Sequence, residues 1–336
     1  MSDNPPDNAA GEPNFFPRTA HELFKPLVKA GTGVSGTVYV CMQRGSKSTN
    51  PPSKDDIIAV KVWKPSMGAS ARPKKTEAAS VLRKIKEGVA EIPCQHMVHL
   101  LELGYLGTES DPWYSMHVVK GCTFQRYLEA YDKETDRDLG VYPSIYDNKD
   151  TPLAMYFHTL RGCISAIKWL HRYDLGYRDF TQQNVMLEVH KRTELPRVIL
   201  IDLDEVEILP DTIRARGFKM FGMLFSFLMD IQTKFPTDLP ETWETLGSAK
   251  FEELEKLRWM GNSYASTTSS NGVLTWTSED ILNWVDNVEI LLEGLGRCHD
   301  SKTVGEIADV VESIWSRTED KVMEMAGRDG LVVRYM

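Results

Sequence analysis

Apolar segments rich in β-branched and aromatic residues dominate the first third of the chain. Four of them, at 36–42, 56–63, 97–106 and 113–119, have the length and composition of β-strands. Between the second and the third, apolar residues recur every three or four positions over 76–89, which predicts an amphipathic helix. Its predicted buried face consists of Ala78, Val81, Leu82, Ile85 and Val89. The pattern therefore predicts a mostly antiparallel sheet with one helix.

Helical periodicity dominates the remainder of the chain. A long helix is predicted over 153–170, where apolar residues trace one face. That face consists of Leu153, Tyr156, Leu160, Cys163, Ile164, Ile167 and Leu170. Further helices are predicted at 218–231, 249–258, 279–293 and 303–325. Short apolar runs at 184–187 and 198–203 flank a polar turn, which predicts a hairpin.

The first residues and the most apolar run of the chain indicate where in the cell the protein is expected. Residues 1–20 are predicted to form a disordered tail, because they are poor in apolar residues and contain four prolines. This segment has no secretory signal. The run 218–231 is too short to span a bilayer and contains Lys219 and Asp230. We therefore expect a soluble, intracellular and cytoplasmic protein.

The composition is that of an ordinary globular protein, with 42% hydrophobic and 26% charged residues among 336. A net charge of −9 provides no basic surface, which argues against nucleic acid or an anionic membrane as a partner. The five cysteines are scattered and lack metal-ligand spacing, which favours free thiols in a reducing compartment. Candidate chemistry must therefore come from other residue types.

Three glycines, Gly31, Gly33 and Gly36, have the spacing G-x-G-x-x-G. A dinucleotide fingerprint requires a strand before this motif and a helix after it. Here a strand-like segment follows directly, so the glycines are predicted to lie in a hairpin. Without a Cβ, the backbone N–H groups of such a turn can approach phosphates closely. An ordinary glycine turn is the alternative interpretation.

Lys61 places a charge inside the apolar segment 56–63. Burying its ammonium group is costly unless the group is paired. Glu77 is a candidate partner, because it stands near the start of the following helix, where the helix dipole favours a carboxylate. Glu87 on the same helix is a second candidate. A lysine facing solvent is the alternative, but the position one strand after the glycines favours a role in binding.

Two carboxylates and an amide, Asp179, Asn184 and Asp202, stand at the edges of apolar segments. Phosphoryl transfer requires mainly positioning and charge neutralisation. It needs a carboxylate near the incoming hydroxyl and oxygen ligands for Mg²⁺. Each residue alone is typical of a cap or a turn. Together, after a glycine turn and a strand lysine, they indicate phosphoryl transfer.

Over about residues 25–232 the chain resembles the protein kinase family. GTGVSGTV (31–38) resembles the glycine-rich loop, and AVKVW (59–63) resembles the Val-Ala-Ile-Lys strand. MHVVKGCTFQRYL (116–128) is similar to the hinge and the helix that follows it, and WLHRYDLGYRDFTQQNVML (169–187) is similar to the catalytic-loop region. IDLD (201–204) resembles Asp-Phe-Gly. The resemblance implies an α+β, two-lobed protein kinase-like fold. Residues 21–119 would form a small antiparallel-sheet N-lobe with one helix, and 120–336 a larger helical C-lobe.

The resemblance also implies roles for individual residues. Lys61 would hold the α- and β-phosphates of ATP, Glu77 would orient Lys61, and Asp179 would be the catalytic base. Mg²⁺, with Mn²⁺ as an alternative, would be bound by Asn184 and Asp202, with Asp204 as an additional candidate ligand. The candidate nucleotide-binding residues are Gly31, Gly33, Gly36, Val38, Ala59, Lys61, Met116 and Val118.

The sequence departs from the kinase pattern at several positions. Thr181 replaces the lysine that serine/threonine kinases carry two residues after the catalytic aspartate, and Tyr177 stands where histidine is commoner. Asp204 replaces the glycine of Asp-Phe-Gly, and Gly217 replaces an aspartate that normally bonds to the catalytic loop. Only 15 positions (217 − 202) separate Asp202 from Gly217, so the usual activation loop is missing and control by its phosphorylation is not expected.

These departures leave three hypotheses. The first is a divergent protein kinase that phosphorylates a Ser or Thr hydroxyl of a protein substrate. The second is a small-molecule kinase, since aminoglycoside and choline kinases are similar in their short activation segments and their second acid after the metal-binding aspartate. The third is a pseudokinase scaffold that binds nucleotide without turnover, although the retained Lys61, Asp179, Asn184 and Asp202 argue against it.

Overall fold

The computed structural model describes residues 16–33, 35–44, 56–64, 72–104, 112–132, 150–177, 179, 181–208 and 301–326. The chain divides into two compact units. The first takes its described residues from Met1–Ala79, His99–Val118 and Ser316–Met336, and the second from Ser80–Val98 and Val119–Trp315. The lobe boundaries expected from the sequence, 21–119 and 120–336, stay a prediction.

The first unit contains a five-stranded antiparallel sheet. Its strands are β1 (Phe24–Thr32), β2 (Gly36–Gln43), β3 (Ile57–Trp63), β4 (Leu100–Leu103) and β5 (Trp113–His117). They lie in the order β1-β2-β3-β5-β4. The antiparallel sheet predicted from the apolar segments is confirmed, and β1 is an addition that the sequence pattern did not predict.

One face of this sheet, the α1 face, is covered by the short helix α1 (Arg18–Leu23). Phe16 and Ala20 are fully buried there. They pack with Phe24, Tyr39, Cys41, Ile58, Val60, Val62 and Trp113. The indole N–H of Trp113 also donates to Thr19 Oγ1 at 3.1 Å. The predicted disordered tail 1–20 is therefore corrected at its end, because residues 16–20 bury apolar surface against the sheet; residues 1–15 lie outside the described residues.

Helix α2 (Arg72–Glu91) contains the predicted helix 76–89 and extends beyond it at both ends. Val81, Leu82 and Ile85 are buried, as the periodicity predicts. Further along, the indole N–H of Trp169 donates to the Ile92 carbonyl at 2.8 Å. This bond fixes the end of α2 within the second unit.

The second unit combines helices with short strands. Its further elements are α3 (Phe124–Asp132), α4 (Asp150–Arg172), β6 (Gly121–Thr123), β7 (Leu175–Tyr177), β8 (Val185–Glu188), β9 (Arg197–Leu200), a 3-10 helix (Leu203–Glu205) and β10 (Val206–Ile208). Strands β6, β8 and β9 form one antiparallel sheet, and β7 pairs with β10. The predicted hairpin is confirmed as β8–β9.

The predicted strand over 97–106 is wrong in extent. Of its described residues, only Leu100–Leu103 form β4. Val98 donates its N–H to the Leu200 carbonyl at 3.0 Å, and Leu200 donates to the His96 carbonyl at 2.9 Å. Residues 96–98 therefore pair with β9 instead of continuing β4, because Leu200 offers them both an acceptor and a donor.

Helix α5 (Ser301–Ala326) confirms the predicted helix 303–325. The predicted helices at 218–231, 249–258 and 279–293 lie outside the described residues. Within the described ranges, none of the helices combines the length and the apolar character that crossing a membrane requires.

Candidate functional site

The glycine-rich segment forms a turn between β1 and β2, as predicted. The Gly33 N–H donates to the Gly36 carbonyl at 2.8 Å. A Cβ at Gly36 would lie 2.5 Å from the Val62 carbonyl oxygen and 3.3 Å from Lys61 Cε, so a side chain has no room there. A Cβ at Gly31 would meet no atom within 4 Å. The turn thus requires glycine at Gly36, where its backbone lies close to the lysine side chain.

Lys61 lies in β3 and is 3% exposed. Its register partners are Val38 on β2 and Tyr114 on β5. Because β3 is paired on both sides, the backbone of Lys61 is held in place beside the glycine turn. Glu77 lies in α2 with an exposed side chain. An ion pair between Glu77 and Lys61 stays a prediction.

Three of the candidate nucleotide-binding residues share one face of the first sheet. Ala59 is paired with Val40 on one side and with Met116 on the other. Directly paired residues project to the same face, and so do residues two positions apart in one strand. Val38 therefore lies on the same face as Ala59 and Met116. Val118, which follows β5, is half-buried.

In the second unit, Asp179 and Asn184 are joined by hydrogen bonds. Asn184 Nδ2 donates to Asp179 Oδ2 at 2.9 Å and to the Asp179 carbonyl at 2.8 Å. Asn184 is 9% exposed, whereas Asp179 is exposed. The orientation of the amide follows from chemistry, because a carboxylate and a carbonyl accept hydrogen bonds and only the NH₂ end can donate. Asn184 thus fixes one oxygen of a carboxylate that faces solvent.

The loop that carries both residues is closed by backbone hydrogen bonds. The Thr181 N–H donates to the Asp179 carbonyl at 3.1 Å, and the Asn184 N–H donates to the Thr181 carbonyl at 3.0 Å. Thr181 replaces a lysine in the kinase pattern, and its backbone holds the turn between Asp179 and Asn184.

Asp202 is positioned against the same loop. The Ile201 N–H donates to the Asn184 carbonyl at 2.9 Å, and Asp202 is the next residue. Asp202 has a left-handed backbone, with φ 61° and ψ 54°, and precedes the 3-10 helix. Aspartate tolerates this conformation better than most residues do. A backbone hydrogen bond therefore connects Asn184, which holds Asp179, to the residue before Asp202.

Tyr177 is a positioning residue whose contact the sequence did not predict. Its hydroxyl donates to the Ile201 carbonyl at 2.6 Å, and its side chain is 1% exposed. The bond ties the segment before Asp179 to the segment before Asp202. The available signal was the tyrosine at a position where histidine is commoner.

The predicted metal ligands are of the chemical type that a hard divalent cation takes. Asn184 Nδ2 makes two hydrogen bonds to Asp179, neither of which uses Asn184 Oδ1, so this oxygen stays a candidate ligand. Asp202 and the 7% exposed Asp204 stay candidate carboxylate ligands. Among the residues that the structure describes, no three His, Cys, Asp or Glu side chains form a metal-binding group. An amide and two carboxylates, completed by phosphate oxygens and water, are the kind of ligand set that Mg²⁺ takes.

Comparison with known proteins relates the chain to protein kinases. It is 25% identical over 183 residues to the serine/threonine-protein kinase CLA4 of Eremothecium gossypii, covering 52% of this chain and 21% of that protein. It is also 25% identical over 179 residues to the serine/threonine-protein kinase max-2 of Caenorhabditis elegans, covering 53% of this chain and 22% of that one. The chain thus spans about a fifth of the length of these curated relatives. No family model matches the chain.

Among solved structures, the chain is similar to the Mycobacterium tuberculosis PknI kinase domain. The two share 16% sequence identity with a TM-score of 0.40, and the match covers 61% of this chain and 73% of that one.

Proposed function

We propose that this chain transfers the γ-phosphate of ATP to a serine or threonine hydroxyl of a protein, as its sequence similarity to serine/threonine-protein kinases suggests. The observation that carries the proposal is the hydrogen-bonded pair Asp179–Asn184, connected through Ile201 to Asp202. This arrangement supplies an exposed carboxylate and a set of oxygen ligands within one short stretch of structure.

Asp179 is the group that receives the acceptor hydroxyl. Its Oδ2 is fixed by Asn184, and the carboxylate is exposed, so a hydroxyl can reach its other oxygen. A carboxylate in this position aligns the hydroxyl and accepts its proton as the phosphoryl group is transferred. Asn184 therefore acts on the reaction partly through the orientation of Asp179.

Asn184 Oδ1 and the carboxylate of Asp202 would hold Mg²⁺, with Asp204 as a further ligand. The ion would neutralise charge on the phosphate oxygens of ATP. Asn184 has a second role here, because the same amide group that orients Asp179 presents its oxygen to the ion.

Nucleotide binding is assigned to the glycine turn and Lys61. The backbone at Gly36 passes beside the Lys61 side chain, so the N–H groups of the turn and the ammonium group of Lys61 would contact the phosphates from neighbouring strands. A purine would use the apolar side chains of Val38, Ala59 and Met116. The shared sheet face and the sequence resemblance to protein kinases support this assignment.

The proposal is tested by Asp179→Asn and a matched control, Asp174→Asn, which alters an exposed aspartate in the turn after α4. With γ-labelled ATP, Mg²⁺ and lysate proteins, Asp179→Asn should reduce label in protein by about 100-fold or more, while ATP affinity stays near wild type. Asp174→Asn should behave as wild type. Label found only in small molecules would show that the phosphate acceptor is a small molecule and not a protein. ATP binding without any transfer would favour the pseudokinase scaffold and overturn the proposal.

A further inference from the structure

The face of the first sheet that carries Lys61, called here the Lys61 face, is covered in part by the C-terminal helix. Val28, Val40 and Ala59 are successive register partners across β1, β2 and β3, so they lie in one row. Lys61 is two positions from Ala59 in β3 and projects to the same face. The α1 face holds the alternating residues of these strands. The Lys61 face is therefore a separate surface with its own cover.

That cover is the end of α5. Val322 is 1% exposed and belongs to a buried cluster with Leu27, Val28 and Val40. Four partly buried residues pack against this cluster: Met42, Ile57, Val118 and Met325. Two residues of α5 thus supply apolar side chains to the Lys61 face.

This cluster adjoins the residues assigned to the nucleotide base. Val118 is one of the candidate nucleotide-binding residues and packs against the cluster. Val40 belongs to the cluster and is the register partner of Ala59, which is proposed to contact the purine. The row of Val38 and Lys61, next to the glycine turn, is outside the cluster as the described residues define it. Within the described residues, the end of α5 thus packs on the part of the face near Val118.

We propose that Met325 at the end of α5, anchored by the buried Val322, forms one wall of the nucleotide-base site and so sets the affinity and the selectivity for the base. The inference rests on the proposed function, because it assumes that the Lys61 face binds a nucleotide. A purine is bound mainly by apolar surfaces on its two faces and edges. Aliphatic side chains from β2, β3 and β5 supply one such surface, and α5 supplies the adjoining one.

The test compares Val322→Ala with Val311→Ala in the full chain. Val311 is a fully buried valine in the same helix, in the part that belongs to the second unit. Both variants lose the same two methyl groups, so both are expected to lose stability. Binding of ATP and of inorganic tripolyphosphate is measured by calorimetry, at a temperature at which circular dichroism shows each variant to be folded.

We expect Val322→Ala to bind ATP about tenfold more weakly than wild type, because loss of the buried anchor loosens the contact of Met325 with the base, and one methylene of contact in an apolar pocket is worth about 10- to 200-fold. Its affinity for tripolyphosphate should be unchanged, since the glycine turn and Lys61 are untouched. Val311→Ala should bind both ligands as wild type does. Met325→Ala, at a partly buried position, should repeat the ATP effect with a smaller loss of stability.

Equal ATP affinity of Val322→Ala and Val311→Ala would overturn the inference and leave α5 a purely structural cover. Tighter ATP binding by Val322→Ala would also overturn it, because the helix end would then compete with the base. A wild-type chain that binds neither ATP nor tripolyphosphate would instead refute nucleotide binding itself, which distinguishes failure of the proposed function from failure of this inference.

Discussion

Asn184 Nδ2 donates to Asp179 Oδ2 at 2.9 Å, so the amide of one candidate metal ligand directly holds the carboxylate of the candidate base. Replacing Asn184 with Asp would set two carboxylates against each other at this distance and raise the pKa of one of them. We expect Asn184→Asp to lower the rate of phosphoryl transfer at neutral pH by about 10- to 100-fold, the range expected for the loss of a hydrogen bond to a charged group. The optimum of the rate should also move to higher pH.

The measurement is the turnover rate as a function of pH for wild type, Asn184→Asp and Asn184→Ala. Asn184→Ala removes the two donors without adding a charge, so it should lose activity with no upward shift of the profile. If Asn184→Asp keeps the wild-type profile, the hydrogen bond does not control Asp179.

Asp202 combines a candidate metal ligand with a left-handed backbone, φ 61°. Alanine in this conformation is strained, whereas glycine is not. We therefore expect Asp202→Gly to be more stable than Asp202→Ala by about 1 kcal/mol in urea unfolding. Both variants should lose the additional thermal stabilisation that Mg²⁺ gives in the presence of ATP.

Asp174 serves as a control that separates backbone strain from metal binding, because it has a similar backbone conformation, φ 56°, in the turn after α4. Asp174→Gly and Asp174→Ala should differ in stability as the Asp202 pair does and keep the response to Mg²⁺. Loss of the Mg²⁺ response at both positions would indicate a general structural effect and remove Asp202 from the metal site.

The sequence predicts best what depends on local pattern. The turn at Gly36, the burial of Lys61 in a strand and the β8–β9 hairpin each follow from spacing within a few residues. The bond from Tyr177 to Ile201 joins positions 24 residues apart, and no local pattern encodes it. The bond from the Ile201 N–H to the Asn184 carbonyl, by contrast, extends the β8–β9 pairing of Val185 with Leu200.

Strand β1 and the pairing of residues 96–98 were missed for physical reasons. Strand β1 contains Pro26, Lys25 and Lys29, which interrupt an apolar alternation, and its pairing with β2 is irregular after Pro26 and after Lys29. Residues 96–98 continue the apolar run of β4, but their partner, Leu200, lies about a hundred positions away. Which strand a segment pairs with over such a sequence separation depends on tertiary packing, and the apolar content of the segment does not reveal it.

Two helical glycines should respond oppositely to substitution by alanine. A Cβ at Gly162 in α4 would lie 2.5 Å from Val198 Cβ on β9, whereas a Cβ at Gly305 in α5 would meet no atom within 4 Å. Gly162→Ala should therefore destabilise the fold by about 1–3 kcal/mol through overpacking. Gly305→Ala should stabilise it by about 1 kcal/mol through helix propensity. Urea unfolding of both variants measures the difference, and equal effects would contradict the close packing of α4 on β9.

Protonation of His96 should weaken the fold in acid. Its Nδ1 lies 2.9 Å from the Val198 carbonyl, which only accepts, and its Nε2 lies 3.2 Å from Gln95 Nε2, which only donates. This pairing requires a neutral ring with the proton on Nδ1. Burial lowers the pKa of His96 below its usual value of 6.5, the hydrogen bond to Val198 partly opposes this shift, and the charges of Arg161 and Arg197 add to it.

Because the pKa of His96 is lower in the folded chain than in the unfolded one, the unfolded chain binds the proton more readily. The free energy of unfolding should therefore be highest above about pH 6.5 and fall as the pH drops from there towards the folded-state pKa. Unfolding in urea between about pH 8 and pH 5 measures this dependence. His96→Gln should flatten the profile in that window, whereas His190→Gln, which removes an exposed imidazole, should leave it unchanged. An unaltered slope in His96→Gln would mean that other groups cause the acid sensitivity.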